Sequence, residues 1–174
     1  MARLPYANPD TPQTQPLANR IISERGSLLH LYRMLLHSPP LAEGWLTFLT
    51  AVRQRLNLAG ALRELVIMRV AVLNGASYEA DQHAPIALRE GVSQAQLDAL
   101  SQWAASDVFS PVQRAALALT DAMTRDVHID DAVLAEVRRH LPEQQTVELV
   151  ATIAAYNMVS RFLEALAIRT DDPV

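Results

Sequence analysis

LRELVIMRVAVLNGASYEADQHAPIALREGV, residues 62–92, is the stretch whose reading decides the fold. Its first half is apolar on nearly every face, broken only by Arg63, Glu64 and Arg69, so it reads as a helix enclosed by protein rather than one lying on a surface. Asn74-Gly75 ends that helix. Ser77 is then placed to cap a second helix, with Glu79 in its first turn where the helix dipole favours negative charge. Glu79 and His83 are four apart and share a face. The expectation is an antiparallel helical pair, with a kink at Pro85, which leaves the carbonyl of Asp81 without its usual partner.

Outward from this pair the chain reads as helices throughout. Upstream, ANRIISERGSLLHLYRMLLH carries Ile22, Leu29, Tyr32 and Leu36 near helical spacing and stops at Ser38-Pro39-Pro40. LAEGWLTFLTAVRQRLN follows, with Trp45, Phe48, Leu49, Val52 and Leu56 on one side. Downstream, Gly91 suits a left-handed helix end, Ser93 with Gln96 forms a capping-box pattern, and Ser110 precedes Pro111 at a helix start. Asp130 or Asp131 opens a short helix, and Pro142 opens the last and longest. The fold class expected is all-α: one domain of about eight helices over residues 20–170, without a sheet. Residues 1–19 carry Pro5, Pro9, Pro12 and Pro16 and read as an extended arm, either a free tail or one laid over a neighbouring subunit. The polar end, RTDDPV, reads as frayed.

Composition narrows the chemistry. The chain has 174 residues, half of them hydrophobic, with only 5 glycines, which suits one helical domain with a sizeable core. All 15 basic residues are arginine. Without lysine there is no Schiff base, no pyridoxal phosphate attachment and no Walker-type phosphate loop. Without cysteine there is no disulfide, thiol catalyst or thiolate metal site. A net charge of −4 gives no electrostatic case for nucleic acid or an anionic membrane as a partner. No stretch reads as a membrane span and the first residues lack a signal peptide's apolar region, so cytoplasm is the expected location.

The candidate catalytic residues are His83, Glu64, Glu79 and Tyr78. A carboxylate in a segment as apolar as that around Glu64 costs several kcal/mol to bury unless paired. Its bland role is to pair with Arg63 or Arg69; its functional role is to orient His83, the natural proton carrier near neutral pH. Glu79 with His83, joined by Glu64, could instead hold a metal ion, though HExxH is absent, so no metal and no cofactor are expected. In the last helix Tyr156, Asn157 and Arg161 interrupt an apolar run and are the candidate substrate-binding residues, with Arg161 either gripping a carboxylate or pairing with Glu164. His30, His37, His128 and His140 lie near helix ends and read as solvated.

This stretch resembles the core motif of the carboxymuconolactone decarboxylase and alkylhydroperoxidase D superfamily. Redox members carry a glutamate, eleven residues, then Cys-x-x-Cys-x-x-x-His. With His83 as the motif's histidine, its glutamate falls on Glu64 and its cysteines on Ala76 and Glu79. The likeness extends from about Leu41 to Ile168, including IAAYNMVSRFLEALAI. It implies the all-helical fold and a homo-oligomer (dimer, trimer or hexamer). It also implies chemistry of the decarboxylase type on a small carboxylated lactone or ring acid, with His83 as acid/base and Glu64 orienting it. A thiol peroxidase is excluded by the absent cysteines. A non-catalytic helical oligomer that keeps the fold and binds a ligand is the alternative.

Overall fold

A computed structural model describes residues 1–173. Among them nine α-helices and one 3₁₀ segment form the fold: α1 (Gln15–Arg25), α2 (His30–Leu35), α3 (Pro39–Gln54), α4 (Gly60–Asn74), α5 (Ser77–Arg89), α6 (Gln94–Ala99), the 3₁₀ segment Leu100–Ala105, α7 (Pro111–Arg125), α8 (Asp131–Arg138) and α9 (Glu143–Leu166). No described residue lies in a strand.

Helix α4 is the axis, packed against α5, α7 and α9. Residues 64–71 are all buried, as the unbroken apolar run demands. Leu62, Val66, Ile67 and Val70 join the main core with Leu149, Ile153, Tyr156 and Leu163 of α9, while Leu65 and Met68 face a smaller cluster with Ala87, Leu100, Phe109 and Leu117. Arg69 is the price of that burial. Its guanidinium donates to both oxygens of Asp121 on α7, at 2.6 and 2.8 Å, and to the carbonyl of Leu100 at 2.7 Å. The charge that Arg69 takes into the interior is therefore matched in a fork geometry that arginine alone supplies.

Gly75 takes φ of +65° and ends α4, and α5 folds back along it. Arg63, near the start of α4, accordingly reaches Glu90 just past the end of α5, at 3.3 Å. The capping residue of α5 is Ala76 and not Ser77; Ser77 is the first helical residue and its hydroxyl caps nothing, because the left-handed Gly75 already turns the chain. The helix runs through Pro85 as a single element. Capping boxes form as read at Ser93 with Gln96 and at Ser110 with Gln113.

Several expectations upstream and downstream need correction. Gly26, at φ of +82°, splits the stretch read as one helix into α1 and α2, leaving Ile22 exposed, and Pro39 starts α3 instead of merely stopping its predecessor. Phe48 is 45% exposed, on the outer face of α3. Helix α1 begins at Gln15, inside the proline-bearing stretch, because Pro16 sits in the first turn, where a missing N–H costs nothing. The remaining arm lies on its own chain and the C-terminal tail is tied to it. Arg3 N–H donates to the carbonyl of Leu166, Tyr6 donates to Asp172 at 2.7 Å, and Arg169 N–H donates to the same carboxylate at 3.0 Å. Helix α9, 24 residues with a window of mean hydropathy 1.2, is long and apolar enough to cross a membrane by length and composition alone; half of that window is buried inside the bundle.

Candidate functional site

Helices α2, α3, α5 and α9 enclose a cavity of about 70 Å³. Its walls are apolar: Leu29 just before α2 and Leu31 within it, Leu49 from α3, Ile86 from α5, Val159 and Leu163 from α9. Into it project Tyr78, Glu79, Gln82 and His83 from one side of α5, Tyr156 from α9 and Arg53 from α3. The spacing of α5 explains the grouping, since residues 78, 79, 82, 83 and 86 form one helical face. A larger open hollow of about 620 Å³ lies between the arm and the tail, but its acid, Asp172, is already taken by Tyr6.

Glu64 stands behind His83. Its Oε2 lies 2.7 Å from His83 Nδ1 and its Oε1 accepts from Arg63 Nε at 3.1 Å. Burial opposes the charge on Glu64, but the hydrogen bond from His83 and the cationic Arg63 outweigh it and hold the carboxyl below its usual range. Burial, assisted by Arg53 and Arg63, holds His83 below the ordinary imidazole value, against the pull of Glu64. A carboxylate only accepts, so Nδ1 carries the proton and donates it to Glu64. Nε2 is then the basic nitrogen, and no described residue hydrogen-bonds it.

Glu79 is as buried as Glu64 but lacks its partners. It is 2% exposed and neither of its oxygens has a hydrogen-bond partner. Burial pushes its carboxyl well above the ordinary range and so favours the un-ionised acid. Tyr156 is equally enclosed, its hydroxyl unpartnered and pushed up by burial, with its ring edge-on to His83 at 5.0 Å. Tyr78 is buried too, but its oxygen accepts from the backbone N–H of Leu31 at 3.4 Å.

The structure thus gathers His83, Glu64, Glu79, Tyr78 and Tyr156, and sends the other two candidates elsewhere. Asn157 is buried on a different face of α9, donating to Thr124 at 3.0 Å and accepting from Asn74 at 3.1 Å. Arg161 is exposed and lines no part of the cavity, and Glu164 pairs with Arg169 at 2.8 Å instead. The cation at the cavity is Arg53, which the sequence reading passed over. Its signal was present: Trp45, Leu49 and Arg53 recur every fourth residue, putting a charge on the buried stripe of α3. His30 is half-buried between Tyr6 and Tyr78, with ring centroids at 5.2 and 6.1 Å. Among the described residues no group of three acidic or histidine side chains is placed to hold a metal ion.

The profile of the Carboxymuconolactone decarboxylase family matches residues 39–122, which spans α3 to α7 and includes Glu64 and His83. The uncharacterized protein YdfG of Bacillus subtilis (strain 168) is 32% identical over 109 residues, covering 62% of this chain and 74% of that protein. The chain belongs to the carboxymuconolactone decarboxylase family. Solved structures of this fold include the debrominase Bmp8, as an alanine variant at a cysteine in complex with 2,3,4-tribromopyrrole. It has TM-score 0.80 and 23% identity, covering 97% of this chain and 91% of that one. A peroxidase-related protein with an alkylhydroperoxidase AhpD core from Ralstonia eutropha JMP134 has TM-score 0.83 at 17% identity, covering 98% and 93%. A protein of unknown function, ATU0492 from Agrobacterium tumefaciens, has TM-score 0.73 at 23% identity, covering 79% and 94%. At these identities the likenesses establish the alkylhydroperoxidase D-like fold. Within the family this chain lacks both sulfurs, and Ala76 and Glu79, at the positions the motif gives to cysteine, are both buried.

Proposed function

We propose that this family member is a thiol-free, cofactor-free proton-transfer enzyme acting on a small carboxylated lactone or related ring acid. The observation that carries the reading is the hydrogen bond from His83 Nδ1 to the buried carboxylate of Glu64, which turns Nε2 toward an apolar cavity. Glu64 fixes the tautomer and balances the imidazolium that forms when Nε2 takes a proton. Arg53, without an ion-pair partner among the described residues, supplies a counter-charge for the substrate's carboxylate in the role the sequence reading gave to Arg161. The tribromopyrrole held by Bmp8 supports a small ring as the class of guest. The proposal includes self-association as a homo-oligomer, supported by the exposed Leu41 and Phe48 on the outer face of α3.

The test is a panel of lactone and ring acids followed by carbon dioxide release and by deuterium uptake from solvent. His83→Ala is expected to lower the rate by roughly 10²–10⁴. Glu64→Gln is expected to impair the same step, and the double variant to lose no more than the worse single one, because the two act as a unit. A turned-over substrate with unchanged rate in His83→Ala would sink the assignment.

A further inference from the structure

Three buried oxygens in the cavity, on two side chains, are left with nothing to bond. Glu79 and Tyr156 are 2% and 1% exposed, and neither the carboxyl nor the hydroxyl meets a partner. Leaving such groups unsatisfied costs on the order of 1–3 kcal/mol each, which a fold does not sustain for packing when a leucine or phenylalanine would fill the same space. Both groups line the cavity that His83 faces. Resting on the proton-transfer reading, we propose that the Tyr156 hydroxyl and the Glu79 carboxyl form a two-donor site for one carbonyl oxygen, and that the substrate class is therefore an enolisable carbonyl compound.

The chemistry of the two groups fits this role. Each carries an O–H in the state burial imposes, and each lacks an acceptor. Glu64, bonded to His83 and Arg63, does not line the cavity, so the donors work in a site without a competing anion on its surface. When His83 Nε2 takes a proton from the carbon next to the carbonyl, the C–H electron pair becomes the C=C bond and the carbonyl π pair moves to oxygen. That oxygen becomes an enolate, to which both O–H groups donate more strongly than to the ground-state carbonyl. Where a C=C bond lies next to that carbon, the enolate is a dienolate, and the same proton returned to its far (γ) carbon gives the conjugated isomer with no redox partner. Loss of carbon dioxide from a β-keto or vinylogous acid leaves its electron pair in the same enolate, and one proton taken from solvent onto His83 Nε2 is then delivered to carbon. Both outcomes considered for this family member thus pass through one intermediate, held by one pair of donors.

An enolate's planar anionic oxygen is mimicked by a phenol, so the test needs no knowledge of the substrate. The probe is a trifluorophenol, titrated into the full chain and read by fluorine NMR beside the same ring bearing a methyl in place of the hydroxyl. Wild type is expected to favour the phenol by at least about tenfold. Tyr156→Phe and Glu79→Leu are each expected to weaken phenol binding by about ten- to a hundredfold, the loss for one hydrogen bond to a charged oxygen, while leaving the methyl ring unaffected. Glu79→Gln keeps an N–H donor and is expected to retain most of the affinity that Glu79→Leu loses, a contrast that a purely space-filling role for Glu79 would not produce. Thermal melts of each variant confirm folding; should Tyr156→Phe fail to fold, the Glu79→Leu against Glu79→Gln comparison decides alone. Equal binding of both rings, or phenol binding indifferent to all three substitutions, overturns the donor pair. His83-dependent deuterium exchange is read separately, so the base can survive the loss of the donor site and the donor site the loss of the base.

Discussion

Replacing Glu79 by glutamine isolates a single proton in the stability of the fold. In the folded chain Glu79 is enclosed by the walls of the cavity, faces Arg53, His83 and Tyr156, and has no hydrogen bond to compensate ionisation. Burial therefore raises its folded pKa above that of the unfolded chain. The sign follows from counting protons: between the two values the native state keeps a proton that the unfolded state releases, so stability falls as pH rises through that window. The slope is fixed by one proton at about 1.4 kcal/mol per pH unit, and glutamine, with the same shape and no proton to lose, removes it. Urea unfolding of wild type and Glu79→Gln from about pH 5 to about pH 8 is expected to give a stability difference that grows in favour of the variant along that slope, until the folded-state value is reached. Glu64 and His83 titrate in both proteins and cancel in the difference. A difference independent of pH would mean that Glu79 is ionised in the fold, and the donor role proposed for it would go with it.

Breaking the Arg69–Asp121 pair tests the other buried charge: Arg69→Met leaves Asp121 with only Arg125 at 3.3 Å and the Trp103 N–H at 3.2 Å and is expected to cost up to about 3–5 kcal/mol, lowering Tm by up to roughly 6–20 °C in a calorimeter. Asp121→Leu combined with Arg69→Met is expected to recover part of that loss, and an additive double variant would refute the pairing. In light scattering at micromolar concentration the chain is expected to exceed the mass of one copy, and Phe48→Glu to shift it toward one copy; a monomeric wild type would remove the self-association proposed above.

The sequence disclosed the fold where apolar residues left no choice of face. Helix α4 is buried around its whole circumference because residues 64–71 offer no solvent side, and the Gly75 turn that folds α5 onto it is written as Asn-Gly. Glu64 and His83 were legible together because a carboxylate in such a helix has to find a partner within reach, and a short turn brings α5 back over it. Partners set by the long-range path of the chain were not legible. Arg161 sits on α9 one turn beyond Asn157, yet the bundle turns its side toward solvent; Arg53, on a helix read for its apolar stripe alone, is what faces the cavity. The arm misled for a local reason: proline forbids a helix interior but not its first turn, and Pro16 occupies that exception.

Glu79 stands where the family's redox motif has a sulfur, on the face of α5 that carries His83, and the substitution changes which chemistry the surrounding apolar wall favours. A thiol at this position becomes useful by ionising, and an apolar pocket resists that unless a nearby base takes the proton. A carboxyl at the same position is useful by not ionising, and the same pocket enforces that at no further cost. The walls from α2, α3 and α9 are thus compatible with exchanging sulfur for a neutral acid without rebuilding the Glu64–His83 pair. Had Glu79 been an aspartate, one methylene shorter, its carboxyl would be drawn back toward α5 and away from the cavity. Glutamate is the residue that keeps both the reach and the proton, and Tyr156, on the facing helix with an equally unpartnered hydroxyl, is the group that gives such an acid a second donor to work beside.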